Sequence, residues 1–227
     1  EPNVLMELYR RGDGIGVHAD LGGKTPCPGG EAQFVKDLRG LRQRMVELGI
    51  PVTHVSGICS TLDWVTAALD AGFEAVTGTV EYCLKSLPLN QQSSQIQACE
   101  SPGECHDPYP NEIPEMLYPW RAADGSSWTT PAEEGLLVFS TAGQLPCSDG
   151  RGTPSQCDLQ IIEQALAARE SGKFHSIFFV WSYGFPMEEE ILRAFYESLQ
   201  PYIESGDVVW QTMPELIETY NAWERPE

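Results

Sequence analysis

The sequence is poor in basic residues, in histidine and in long apolar runs, and each shortage removes a class of function. Fourteen Lys and Arg stand against 33 Asp and Glu, a net charge of −19. Such a chain repels phosphate backbones and anionic lipid, so nucleic acid and acidic membranes are excluded as partners. The acidity itself fits a secreted protein, a salt-rich habitat, calcium binding or simply a solvated acidic surface. No apolar stretch approaches the ~20 residues of a membrane span. No signal-peptide pattern opens the chain, and a first residue other than Met points to processing or trimming. A glycine-rich phosphate loop is also missing: Gly12, Gly14 and Gly16 precede a predicted strand instead of following it, which disfavours a nucleotide site. There is no Cys-x-x-Cys pair, which argues against a zinc ribbon.

Cysteine is not scarce. Seven are present, in segments that read as loops, and they point to an oxidising, extracytoplasmic setting, secreted or at the cell surface. Cys99 with Cys105 and Cys147 with Cys157 each bracket a Pro/Gly-rich loop and read as local disulfides. Cys27 with Cys59 is a third expected pair, which leaves Cys83 free.

A length of 227 residues suits one core, so one domain over 1–227 is expected. The apolar spacing predicts strands near 14–18, 52–56, 75–80, 136–140, 176–181 and 208–211, nearly all followed by amphipathic helices. That rhythm predicts a parallel α/β architecture, either a doubly wound sheet or a barrel. Helices are expected at 31–48 (Phe34, Leu38, Leu41, Met45, Leu48), after a Ser60 or Thr61 cap, from Asp158, after Pro186, and after a Thr212/Glu215 capping box. Residues 84–134 break the rhythm. They are rich in Pro, Gln, Ser and aromatics and read as an ordered insertion over one end of the domain. A short helix ending at Gly12 opens the chain, and one or two strands are expected upstream of it.

The chemistry concentrates at 14–23, Gly-Ile-Gly-Val-His-Ala-Asp-Leu-Gly-Gly. This strand delivers His18 and Asp20 to its C-terminal end, where an α/β barrel keeps its reactive groups. The alternative is that both residues merely bond a tight turn. His18, Asp20 and an upstream carboxylate would hold a metal with an open position. Asp20 with Glu81 would instead form a carboxylate pair of glycosidase type. Ser56, Ser140, Ser182 and Gln211 are expected to face the same cleft. Trp120, Trp128, Trp181 and Tyr183 would supply stacking surfaces for sugar rings, or pack as structural aromatics. His54 reads as packed, and His106 and His175 as surface residues. Asp149 lies in a fragment of a calcium loop, Ser148-Asp-Gly-Arg-Gly, without the repeated acids of a complete one.

Arg11-Gly-Asp-Gly-Ile-Gly-Val-His18, the helix end Glu47-Leu-Gly-Ile-Pro51, Ala71-Gly-Phe73 and the ending Val208-Val-Trp-Gln-Thr-Met-Pro-Glu215-Leu-Ile together resemble the polysaccharide deacetylase superfamily, the group of carbohydrate esterase family four. The resemblance is one of rhythm and covers most of the chain outside the insertion. It implies a distorted (β/α)7 TIM-like barrel. It also implies a divalent metal, usually zinc, held by one aspartate and two histidines, that activates water against an N- or O-acetyl group. His18 falls on the first histidine of the family's His-x-x-x-His strand. Gly22 stands at the second, Ser56-Gly57 at an Arg-x-Pro-Tyr loop, and Ser182 near a late catalytic histidine, while the family's Asp-Asp pair would precede Glu1. The expected function is therefore metal-dependent deacetylation of a polysaccharide. A glycan-binding or assembly protein on the same barrel and a glycosidase using Glu81 and Asp20 are the alternatives.

Overall fold

The computed structural model describes residues 2–19, 29–113, 115–141, 143–144, 154–180 and 189–225. Helix α1 (Pro2–Arg11) ends at Gly12, whose φ of 99° suits glycine, and leads to strand β1 (Val17–His18). Helix α2 (Gly30–Glu47) follows, with Phe34 and Leu38 fully buried one turn apart. It stops at Gly49, where the Ile50 N–H reaches back to the Met45 carbonyl and Ile50 drops into the core. Strand β2 (His54–Ser56), helix α3 (Trp64–Asp70) and strand β3 (Ala75–Thr79) complete the next unit. The cap of α3 is Asp63, whose carboxylate accepts from Thr66 N at 2.9 Å, and not the expected Ser60 or Thr61. Asp63 also accepts from Gly125 N at 2.7 Å, so it ties the insertion to the cap as well.

The insertion carries short elements of its own. It runs through 3-10 turns at Glu81–Ser86 and Leu89–Gln91, helix α4 (Ser94–Ala98), further 3-10 turns at Pro102–Glu104 and Glu115–Leu117, and strand β4 (Trp120–Ala122). Then come β5 (Leu136–Ser140), β6 (Gly143–Gln144), α5 (Pro154–Ala168), β7 (Phe179–Val180), α6 (Glu189–Ser205) and α7 (Met213–Glu224), the last opened by the expected capping box of Thr212 and Glu215.

The main sheet has the order β1-β2-β3-β5-β4, parallel except for β4. Four of the six expected strands are thus parallel neighbours. The other two are corrected. Phe179–Val180 pairs with Gly143–Gln144 in a separate two-stranded sheet, because antiparallel β4 already occupies the open edge of β5. Residues 208–211 form no strand; they bridge α6 and α7 with Val209 and Trp210 exposed.

Alternation divides the sheet into two faces. Val17, Val55, Val76 and Val138 join Phe34, Leu38, Trp64 and Val65 in the core under α2 and α3. Ala75, Leu137 and Phe139 face the other way and pack on Ile217 and Tyr220 of α7. The disulfides correct the expected pairing in part. Cys99–Cys105 is formed; Cys59 joins Cys83 and not Cys27, so Cys83 is not free. Cys59 and Cys83 sit in the segments that leave the adjacent strands β2 and β3, which brings them together. Cys27 and Cys147 lie outside the described residues, and with Cys147 the expected Cys147–Cys157 pair.

His54 lies on the second face and is buried, with its Nδ1 unbonded among the described residues. A Cβ added to Gly16 would overlap its ring, so Gly16 makes the room for it. Burial lowers the His54 pKa from 6.5 to about 4. The unfolded chain therefore binds a proton between these values that the folded chain does not. Stability is full above pH ~6.5 and falls as pH drops toward ~4, by about 3 kcal/mol in all. Urea midpoints measured across this range should fall more steeply for the wild type than for His54→Gln; equal slopes would refute the assignment.

Candidate functional site: an aromatic cleft and a strand-end histidine

The insertion reaches the sheet through hydroxyls at the C-terminal ends of β3 and β5. Thr79 Oγ1 donates to the Tyr109 carbonyl at 2.7 Å, and Tyr109 N donates back to Thr79 O at 3.0 Å. Ser140 Oγ donates to the Met116 carbonyl. These bonds place residues 109 and 116 across the strand ends. They also give Ser140 a structural task in place of a place in the expected cleft.

Between the insertion and α7 a cleft of about 430 Å³ opens, walled by Tyr109, Tyr118, Trp120, Arg121 and Tyr220 with Glu115 at its rim. Trp120 is half-buried; its indole N–H donates to the Trp128 carbonyl at 2.6 Å and its ring stacks on Trp128, centroids 6.1 Å apart. Trp128 itself is fully buried, flanked edge-on by Trp64 and Tyr109. Its expected role as a stacking surface is corrected: its ring is covered by protein and supports Trp120 from behind. Burial raises the Tyr109 pKa. The Tyr118 hydroxyl donates to Glu170 at 2.8 Å, and this bond raises its pKa first, with desolvation adding to it. Tyr220 is pushed up to about 12, by burial first and then by the Glu224 charge. All three phenols are neutral at physiological pH, and the hydroxyl protons of Tyr118 and Tyr220 are already given to Glu170 and Glu224.

Arg121 forms the floor. Its Nε donates to Glu224 at 2.7 Å, Nη2 to Asn221 Oδ1 at 2.6 Å and Nη1 to the Gly135 carbonyl at 3.1 Å, while its guanidinium lies 5.8 Å from the Tyr220 ring centre. Tyr220 and Arg121 had no signal in the sequence: Tyr220 lies on the apolar face of α7 and reads there as core.

At the other edge of the sheet, His18 is exposed at the end of β1. It stands directly across from Ser56, and its Nδ1 shares a hydrogen bond of 2.9 Å with Ser56 Oγ. Nothing among the described residues brings His18 and Trp120 into one cleft. In the strand order they are four spacings apart, about 19 Å along the sheet. Glu81 is half-buried at the start of its 3-10 turn, with its N–H donating to the Asp107 carbonyl at 2.8 Å. Asp20, Trp181, Ser182, Tyr183 and Asp149 lie outside the described residues, so the expected carboxylate pair has one member in view. His106 is exposed; His175 is half-buried, accepts from the Glu170 N–H at 3.0 Å and lies against Tyr118.

Replacing Arg121 by Ala leaves the Glu224 carboxylate, 23% exposed, with only the Tyr220 hydroxyl and a 4.0 Å contact to Arg225, and frees the edge of α7. The expected loss is about 2–4 kcal/mol of unfolding free energy in urea titration, with Arg121→Lys recovering less than half, since an ammonium cannot reach three acceptors in one plane. A change below 0.5 kcal/mol would contradict the role given to this residue. No protein-family model, curated protein or solved structure matches the chain.

Proposed function

We propose that the protein is carbohydrate-active: it binds a polysaccharide along the cleft of Tyr109, Tyr118, Trp120 and Tyr220, and it removes acyl groups from that polymer. The aromatic cleft carries this reading. Sugar rings offer apolar C–H faces edged by hydroxyls, which suits the half-buried faces of Tyr109, Tyr118 and Trp120 beside the Glu115 carboxylate. Arg121 is already neutralised by Glu224, and the chain's net charge is −19, so an uncharged glycan fits better than a uronate or a sulfated chain. The two disulfides among the described residues are in keeping with an extracytoplasmic protein. Among the described residues no helix is long and apolar enough to cross a membrane.

The hydrolytic half rests on the resemblance to polysaccharide deacetylases and on His18 and Ser56 at the strand ends. The seven-unit barrel belongs to the same reading, and the parallel run β1-β2-β3-β5 is compatible with it. A catalytic zinc takes three protein ligands and keeps a position open. Among the described residues no three His, Cys, Asp or Glu side chains come together to hold a metal, zinc or calcium. His18 is one nitrogen donor, and it does not make that site alone. A binding protein without hydrolysis is the second reading, favoured by the separation of the cleft from His18. A polymer spans that separation where a small molecule does not.

Affinity electrophoresis through gels carrying neutral, acetylated polysaccharides tests the binding. Retention should fall on Trp120→Ala by an affinity loss of about 1–3 kcal/mol, the scale of a lost aromatic anchor. Unchanged retention would refute the cleft as the glycan site. Acetate release from the retained polymer separates the two readings: release supports the hydrolase, and retention without release supports the binder.

A further inference from the structure

We infer that Ser56 is a nucleophile, with His18 as its base, for hydrolysing an O-acyl ester without a metal. This rests on the acyl-hydrolase half of the proposed function and is independent of the aromatic cleft. His18 and Ser56 are register partners on adjacent parallel strands, so their side chains leave the same face at the same level. Nδ1 and Oγ lie 2.9 Å apart, within reach for proton transfer. The main chain there is fixed from both sides. Ala19 N donates to the Ser56 carbonyl at 2.8 Å, and the intervening Val17 and Val55 are buried in the core. A site on such strands holds its geometry better than one on a loop.

A purely structural bond at this point would serve no buried group. His18 is exposed and Ser56 half-buried, so breaking their bond would leave both free to meet water. The strand ends immediately after Ser56 at Gly57, whose φ of 68° turns the chain away and leaves the Gly57 N–H beyond the β1–β2 ladder. We assign that N–H, next in the chain after Ser56, as the donor to an oxyanion formed there.

The chemistry balances with water alone. Ser56 Oγ attacks the ester carbonyl carbon, the Oγ–C bond forms and the hydroxyl proton passes to Nδ1. The tetrahedral intermediate collapses with cleavage of the bond to the sugar oxygen, which takes the proton from the imidazolium and leaves as an alcohol. Water, deprotonated by the same nitrogen, then attacks the acyl-serine. The acyl–Oγ bond breaks, the imidazolium proton returns to Oγ, and acetic acid leaves, giving up its own proton to solvent as acetate.

The full chain is treated with diisopropyl fluorophosphate in EDTA and mapped by peptide mass. The expected result is an equimolar adduct on Ser56, formed about 100-fold or more slowly in His18→Gln, the scale of a lost general base. 4-Nitrophenyl acetate should give an equimolar burst that EDTA leaves unchanged and Ser56→Ala abolishes. The inference is overturned by an unlabelled Ser56 in the wild type, by equal labelling rates in His18→Gln, or by hydrolysis that EDTA removes, zinc restores and Ser56→Ala keeps. The wild-type labelling needs no variant to fold. Glycan retention measured alongside separates the two proposals. Retention without labelling refutes the dyad alone, and labelling without retention refutes the glycan reading alone.

Discussion

A guanidinium with 11% of its side chain exposed keeps its charge at tolerable cost only when each of its nitrogens finds an acceptor. Arg121 meets that condition with three acceptors from two parts of the chain: Glu224 and Asn221 on α7, and the Gly135 carbonyl just before β5. Its own backbone lies in β4, paired with Leu137 of β5. One side chain therefore binds the edge strand of the insertion, the entry to a central strand and the terminal helix. The position of Tyr220 follows from this. Its ring packs edge-on against Phe139 and Phe174 and lies beside Arg121, while its hydroxyl donates to the same Glu224. The cleft has a wall on α7 because Arg121 holds α7 there.

The strand ends are divided between two tasks. At β3 and β5 the hydroxyls of Thr79 and Ser140 anchor the insertion through the carbonyls of Tyr109 and Met116. At β1 and β2 the corresponding groups, His18 and Ser56, bond only each other among the described side chains. Polar residues at the C-terminal ends of parallel strands are thus of two kinds here, one committed to architecture and one available to a ligand. Residue type alone does not separate them: both Ser140 and Ser56 are serines that end a strand, and what they face decides.

The same distinction explains what was legible in the sequence. The helices α2 and α7 and the valines of β1, β2, β3 and β5 could be read because periodicity reports the face a residue buries, and these faces are buried. The segment 208–211 has equally good β-branched and aromatic content, but a strand exists only beside a neighbour, and this segment has none among the described residues. Phe179–Val180 is displaced from the main sheet by β4, a strand supplied by an insertion whose composition gives no alternation to read. Cys59–Cys83 could not be chosen over Cys27–Cys59 because connectivity depends on which strands are adjacent, and spacing along the chain does not contain that. Trp120 and Trp128 are alike in local composition; only their packing makes one a surface and the other its support.

The bond between His18 and Ser56 also sets a limit on what that edge of the sheet can do. A neutral imidazole has one N–H and one lone pair, and the 2.9 Å contact fixes which is which only once the proton is assigned. With the proton on Nδ1, donated to Oγ, the Nε2 lone pair is free to meet a metal, and Ser56 serves to orient the ligand. When Oγ donates to Nδ1 instead, Nε2 carries the proton, no lone pair remains for a metal, and the serine is the activated group. The two chemistries therefore exclude each other at this residue. The 2.9 Å contact serves either chemistry, and the position of one proton on the His18 ring decides which of them this edge of the sheet supports.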